Sequence, residues 1–492
     1  MKVQPISRLL WAIPTAAVSL WAASCAVALG LGYTIEKQEI RVSFADNPEP
    51  RIEIAADYHL KNRGTRPLRE LKLRLPGRRR FQYENPEASW DSTKVMLQPS
   101  PDNPRDTVIA LPHEWGRGAG HTLHLSVEYS PPAMGDAALG FSNDAFFLPA
   151  AGWSPELLPP DGLFASGGVP PKKWNLQVVA PTGFQVRSSG MLRRRARKGG
   201  GIVVQAEQRK KDLYPFVIAG RYITSEMGIG NEKVHLWTSK PQDSARLRDL
   251  SDALARVIAA YDAAFGERSR ESSQIWIVEC PVAAGCFTSL NPLRARLLGR
   301  NETEGSRAEM ISQDTMMVDL SEGAPTLAAS AAPSLAASWL GYGQNPAFFE
   351  QSPPLTMFPV FAAAVGHDAV EGGEARGETI RRALRLIPPG AKLAKQEDAD
   401  VLRVKSFLFF YALQDRYGRE TFRKATQNML YARRERGFDL DDLIAAFEEQ
   451  THQNVAEFVR MWMKHPGVPQ EFRARYELTT AATGSSTKET KQ

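Results

Sequence analysis

The period of the hydrophobic pattern changes once along this 492-residue chain, near Ile223, and that change limits the fold more than any other feature. Before it, Glu39-Ile40-Arg41-Val42-Ser43-Phe44, residues 51–60, residues 71–75 and residues 121–129 place apolar side chains at every second position. That is the period of a strand with one face buried and one solvated. Pro, Gly, Asn and Asp punctuate these runs, so an antiparallel sandwich or saddle is expected over residues 36–225. After Ile223, residues 244–265 have helical spacing, and Gln274-Ile275-Trp276-Ile277-Val278-Glu279 is a lone strand-like run. Helical segments follow at 326–340, 359–365, 378–386, 399–417, 419–433, 440–451 and 455–463. The expected class is therefore α+β and multidomain, with a mainly helical domain over residues 226–478. Residues 479–492 are mostly Thr, Ser, Lys and Gly with no sizeable apolar side chain, the composition of a disordered tail.

The beginning of the chain speaks to compartment. Residues 9–35 contain no charge and follow Lys2 and Arg8, the layout of a secretory signal. Ala26-Val27-Ala28 offers a small-x-small cleavage site, whereas Ala22-Ala23-Ser24-Cys25 lacks the Leu usual in a lipoprotein box. The same run is long enough to cross a bilayer despite Pro14, so segment 1–35 reads as a signal peptide or as an N-terminal membrane anchor. Either way the remainder is expected outside the cytoplasm, in the periplasm or cell envelope, with the anchored form held at the inner membrane. Beyond the signal only Cys280 and Cys286 remain, able to close a small loop disulfide in an oxidising compartment or to stay as two buried thiols. No His or third Cys lies near them in sequence, which argues against a metal site there.

Composition is that of an ordinary globular protein, 43% hydrophobic and 24% charged. The net charge of +6 is concentrated in Arg78, Arg79 and Arg80 and in Arg193-Arg194-Arg195-Ala196-Arg197-Lys198. The second run precedes three glycines between two strand-like runs and reads as a solvated hairpin tip, with contact to anionic phospholipid as the sharper alternative. Export argues against a nucleic-acid partner.

One helical segment carries a chemical signature by what it lacks. Ala331-Ala332-Pro333-Ser334-Leu335-Ala336-Ala337-Ser338-Trp339-Leu340-Gly341 resembles the zinc-binding helix of the aminopeptidase N-type zinc metallopeptidases (gluzincins), whose pattern runs His-Glu-Leu-Ala-His-Gln-Trp-Trp-Gly. Leu335, Ala336, Trp339 and Gly341 match; Pro333 and Ala337 stand at the two His positions and Ser334 at the Glu position. The resemblance extends over most of the chain. Residues 213–222 are similar to the strand closing that family's N-terminal β-domain, residues 146–155 to its Trp-Tyr-Pro stretch, residues 173–178 to the strand that follows, and residues 436–469 to its helical ending. It implies a thermolysin-like second domain and a zinc cofactor. Such a site needs two neutral His four apart on one helix face and a carboxylate as third ligand, with a Glu taking the proton of the zinc-bound water. Counted from Ala337, the third ligand's position falls on Thr356, and Arg403 stands where the family's oxyanion-stabilising Tyr would be. The substrate-amine motif has no counterpart near residues 286–292.

Other residues could in principle supply the missing chemistry. The eight His are His59, His113, His121, His124, His235, His367, His452 and His465. His113-Glu114 sits in a β-rich stretch, His121 and His124 have the odd spacing of opposite strand faces, and His367 with Glu371 reads as a surface pair on a helix. Arg403 is expected either to bind a carboxylate in the former cleft or to form a salt bridge, with Glu350 and Asp400 as candidate partners. Trp339 is the other candidate binding residue. The expected protein is thus an exported, aminopeptidase-like pseudoenzyme without catalytic residues and without zinc, keeping its cleft for a peptide or protein partner. An active metallopeptidase with a rearranged or misaligned site is the alternative, and an accessory component of an envelope complex is the third.

Overall fold

The computed structural model describes residues 32–45, 51–75, 82–103, 106–130, 144–149, 153–160, 168–198, 201–208, 215–268, 274–280, 292–299, 308–312, 314–340, 353–387, 399–433 and 439–477. Outside them lie most of the apolar N-terminal run, Arg78 to Arg80, Cys286, Gly341, Glu350 and the C-terminal tail. Among the described residues no helix is long and apolar enough to cross a membrane.

The first half is built of strands. β1 (Tyr33–Ala45) and β2 (Arg51–Asn62) form a long antiparallel pair, and their alternating burial follows the alternation of the sequence. They sit inside an eight-stranded sheet with β4 (Gln82–Trp90), β5 (Thr93–Val95), β8 (Gly120–Ser130), β11 (Trp174–Pro181), β13 (Met191–Lys198) and β14 (Gly201–Glu207). The order is β13-β14-β11-β1-β2-β8-β4-β5, with β1 and β11 parallel and the other neighbours antiparallel. A four-stranded sheet contains β10 (Glu156–Leu158), β3 (Leu68–Arg74), β7 (Asp106–Trp115) and β6 (Leu97–Pro99) in that order. Ile40, Val42, Ile54 and Leu125 of the large sheet share one core with Leu71, Leu73, Ile109 and Trp115 of the small one, which makes the unit a sandwich. The arginines of 193–197 lie on edge strand β13 itself, not at the turn of the hairpin that β13 makes with β14.

A third sheet joins the halves: β9 (Ala145–Leu148), β12 (Gln185–Ser188) and β15 (Val217–Gly220) in the order β12-β15-β9. β15 is buried on both faces, which explains its unbroken apolar sequence. Val217 and Ala219 enter the sandwich core, whereas Ile218 packs with Trp237, Val278 and Met317 of the next sheet.

That next sheet has five strands: β16 (Ile223–Ile229), β17 (Glu232–Thr238), β18 (Gln274–Glu279), β20 (Thr315–Val318) and β19 (Ala308–Ser312) in that order. β17, β18 and β20 are parallel, with antiparallel strands on both edges. Arg187 of β12 crosses to it, 2.9 Å from Asp314 and with its guanidinium 4.4 Å above the Trp276 ring. Burial alone would raise the Asp314 carboxyl, but Arg187, Thr315 and Ser312 outweigh it and hold the group below its usual range.

Eleven helices are described: α1 (Ser244–Phe265), α2 (Pro292–Leu297), α3 (Ala324–Leu340), α4 (Pro353–Thr356), α5 (Phe358–Glu371), α6 (Ala375–Arg385), α7 (Ala399–Tyr417), α8 (Arg419–Arg433), α9 (Leu440–Thr451), α10 (Val455–Lys464) and α11 (Gln470–Glu477). Their starts are locally encoded. Asp439 caps α9 in a reciprocal capping box with Asp442, and Asn454 accepts from the Glu457 N–H at 2.9 Å to start α10. Leu254, Tyr261, Leu335, Phe361, Phe410 and Phe447 belong to the one large core beneath these helices. The architecture is a sheet-rich N-terminal domain followed by a mainly helical one.

Candidate functional site

Helix α3 carries the residues matched to a zinc site, and its surroundings are dry. Ala331, Ala332, Leu335, Ala336, Trp339 and Leu340 are buried, and so is Ser334. Pro333 lies inside the helix and offers no N–H to the Ala329 carbonyl one turn back. One residue before the proline, the Tyr261 hydroxyl of α1 donates to the Ala332 carbonyl at 2.6 Å, a buried side-chain bond on the same turn. From the next helix, Gly366 of α5 approaches so closely that a Cβ there would collide with the Tyr261 hydroxyl and lie 2.8 Å from the Ala332 Cβ. Glycine is required at this crossing because the space is already filled.

The far end of α3 is anchored equally firmly. The Trp339 indole N–H lies 3.2 Å from the Gly266 carbonyl and 3.3 Å from Asp262 Oδ1. Its ring centroid is 5.2 Å from that of Tyr261, and the Arg268 guanidinium stands 5.8 Å from it. Arg268 is itself buried against Glu232 in a two-pronged pair at 2.6 and 3.2 Å. Trp339 is thus a core residue, 4% exposed, and not a ligand platform.

The donor set does not fit zinc. Of the four positions matched to ligands and base, Pro333 and Ala337 carry no donor atom, and Ser334 and Thr356 carry only hydroxyls, whereas zinc takes thiolate, imidazole and carboxylate. Thr356 closes the short helix α4. Arg403, on the exposed first turn of α7, lies 3.0 Å from Asp400 Oδ1 with both side chains more than half exposed. That is the salt bridge of the two expected roles, and Asp400 is its partner. Among the described residues no three His, Cys, Asp or Glu side chains cluster as a metal site.

Two positions along from Arg403 stands another charged residue of α7, in a very different setting. Lys405 is fully buried in an apolar run. Its ammonium donates to the Met463 carbonyl at 3.2 Å and to the His465 carbonyl, closing the C-terminus of α10. The Trp462 indole returns a bond to the Lys405 carbonyl at 3.3 Å. Burial lowers this lysine to about 8.

Among the described residues the histidines form no metal-binding group, although the His113 and His121 rings meet edge to face at 5.7 Å. His124 Nδ1 lies 2.7 Å from Asp57, His121 pairs with Asp91 and stacks on Trp90, and His113 sits on β7. His367 Nε2 and Glu371 are 3.9 Å apart across one helical turn. His235 stacks at 4.1 Å on Trp276, with Nδ1 3.2 Å from Glu226 and a buried Nε2 that has no hydrogen-bond partner among the described residues; burial lowers its pKa. Cys280 is disulfide-bonded, while Cys286 lies outside the described residues.

Comparison with solved structures finds a similar fold in M1 zinc metallopeptidases. The M1 zinc metallopeptidase from Deinococcus radiodurans is similar over 90% of this chain and 96% of that one, with a TM-score of 0.51 and 14% identity. A Glu-to-Ala mutant of it bound to a Tyr-Ser-Ala substrate gives the same coverage, a TM-score of 0.51 and 15% identity. A two-domain M1 zinc metallopeptidase mutant bound to L-tryptophan gives a TM-score of 0.50 and 15% identity. No protein-family profile matches the sequence, and no curated protein does. At this identity the likeness establishes the fold: the chain has the two-domain M1 peptidase fold.

Proposed function

We propose that this chain is an exported, non-catalytic relative of the aminopeptidase N-type peptidases, retaining the fold as a surface for a peptide or protein partner in the cell envelope. The observation that carries the reading is the side-chain set at the matched positions: Pro333, Ser334, Ala337, Thr356 and Arg403. None can hold zinc, none can take a proton from a zinc-bound water at neutral pH, and an arginine replaces the phenol. Packing supports it, because Tyr261 and Gly366 close one flank of α3 with contacts that a structural helix requires. In this reading residues 1–35 direct export or anchor the chain, 36–225 form the β-domain, 226–478 the peptidase-type domain, and Cys280 pairs with Cys286.

The test is metal content and hydrolysis measured on the same preparation of full chain. Less than a tenth of a zinc ion per chain is expected, with no cleavage of aminoacyl-p-nitroanilides above the uncatalysed rate. Stoichiometric zinc together with hydrolysis that a chelator abolishes overturns the reading in favour of a rearranged active site.

A further inference from the structure

A cavity of about 330 Å³ lies among α1, α5, α6, α7 and α8, and none of the positions matched to the zinc site lines it. That volume is within the range of small-ligand sites. Ala260, Ala263 and Ala264 of α1 give it an apolar wall. Against that wall converge Asp368 of α5, Arg376 of α6, Tyr411 and Gln414 of α7, and Arg419, the first residue of α8.

These polar groups are arranged in unequal states of satisfaction. Asp368 Oδ1 accepts from the Thr379 hydroxyl at 2.8 Å, and Oδ2 lies 3.5 Å from the Tyr411 hydroxyl. Arg376 is fixed: one nitrogen is 3.0 Å from Asp415, and the guanidinium stands 5.1 Å over the Tyr411 ring. Asp415 is also taken by Tyr476 at 2.6 Å and Arg475 at 3.2 Å, and Tyr476 interacts with Arg376 as well, so the guanidinium is held in place in the cavity lining. Gln414 is 8% exposed and turns its face to the same cavity. Arg419 is exposed at the positive end of α8 with no ion pair among the described residues, while the adjacent Glu420 turns to Arg423 and Lys424.

Two cations and one buried acid, facing an alanine wall, define a complementary ligand. We propose that this cavity binds a small organic carboxylate that also carries a hydrogen-bond donor, an amino or hydroxy acid with a short apolar side chain. Its carboxylate meets Arg376 and Arg419, its apolar part lies on Ala260, Ala263 and Ala264, and its donor reaches Asp368 and Gln414. Burial raises the Asp368 carboxyl to about 6, against Thr379, Arg376 and Arg382 of α6 and Tyr411 of α7. Above that pH the carboxylate matches an ammonium; below it, an ammonium loses its partner and a hydroxyl does not.

Isothermal titration of the full chain decides this with L-leucine and 2-hydroxy-4-methylpentanoate, using L-leucinamide and 4-methylpentanoate as analogues that each lack one of the two groups. At least one acid is expected to bind, with both analogues tenfold weaker or worse. Arg419→Ala, an exposed change, is expected to weaken that acid at least tenfold, and Arg403→Ala, on the zinc-site side, to leave it unchanged. Affinity of the amino acid falling below pH 6 identifies the ammonium form, and affinity holding there identifies the hydroxy acid. Failure of both acids to bind, or binding indifferent to Arg419→Ala, overturns the proposal.

Discussion

Helix α5 separates two regions that have been treated differently. On one side Gly366 lets α3 and the Tyr261 hydroxyl come to van der Waals contact, and no acid, base or metal ligand occupies the crossing. Two residues on, about 200° around the helix, Asp368 with Val365, Ala369 and Gly372 lines an open cavity where charges converge. The first region is closed by packing; the second gathers polar groups that packing alone does not need.

The largest effect expected is at the closed crossing. Gly366→Leu has no room against Tyr261 and Ala332, and overpacking there lowers stability in urea by about 3 kcal/mol or prevents folding. Gly372→Ala, at the C-cap of the same helix at φ +71° with open space around it, costs backbone strain alone, about 1–2 kcal/mol. Equal costs at the two glycines would erase the distinction between the two faces.

Next is the pH dependence of Asp368. Its folded value of about 6 lies above that of the unfolded chain, so the stability it contributes is fully present below about pH 4 and lost as pH rises through 6. Asp368→Asn removes that slope, and at pH 7 it raises stability by about 2 kcal/mol, read from urea midpoints across pH 4 to 7. An unchanged slope would mean the carboxyl is not the titrating group.

Tyr261→Phe removes the bond to the Ala332 carbonyl and costs about 1 kcal/mol, without restoring zinc binding. Smallest is Arg403→Ala, where loss of an exposed pair with Asp400 shifts stability by less than about 0.5 kcal/mol. A loss above 2 kcal/mol would give Arg403 a partner beyond the salt bridge.

Much of the architecture was legible because its signals are local. α7, α8 and α9 begin and end where helical spacing begins and ends, with Gly418 at φ +85° dividing the first two and the Asp439 box starting the third. The Gln274–Glu279 strand was equally plain. The rest of its sheet was not. β20 is buried at every position and β17 at nearly every one, so neither shows the alternation that marks a strand with a wet face. Helical spacing was traced only to Val365, but α5 runs on to Glu371, because Gly366 serves the α3 crossing and does not stop the helix. The α3 resemblance could be read since one motif at fixed spacing carries it. The Asp368 cavity could not, since its lining comes from five helices scattered between Ala260 and Arg419. Lys405 shows the remaining limit: a lysine in an apolar run announces a buried partner, but only the fold reveals that the partner is the end of α10.

The parallel pairing of β1 with β11 has a consequence for how the chain is made. β1 finds β2 within a few residues, yet its second edge waits for residues 174–179, more than 130 positions later. Throughout that interval β1 presents an unpaired row of N–H and C=O groups, the most aggregation-prone edge of a half-finished sheet. Closure of the sandwich is then a late, long-range event, and folding of this half is slow compared with the locally connected helices that follow it.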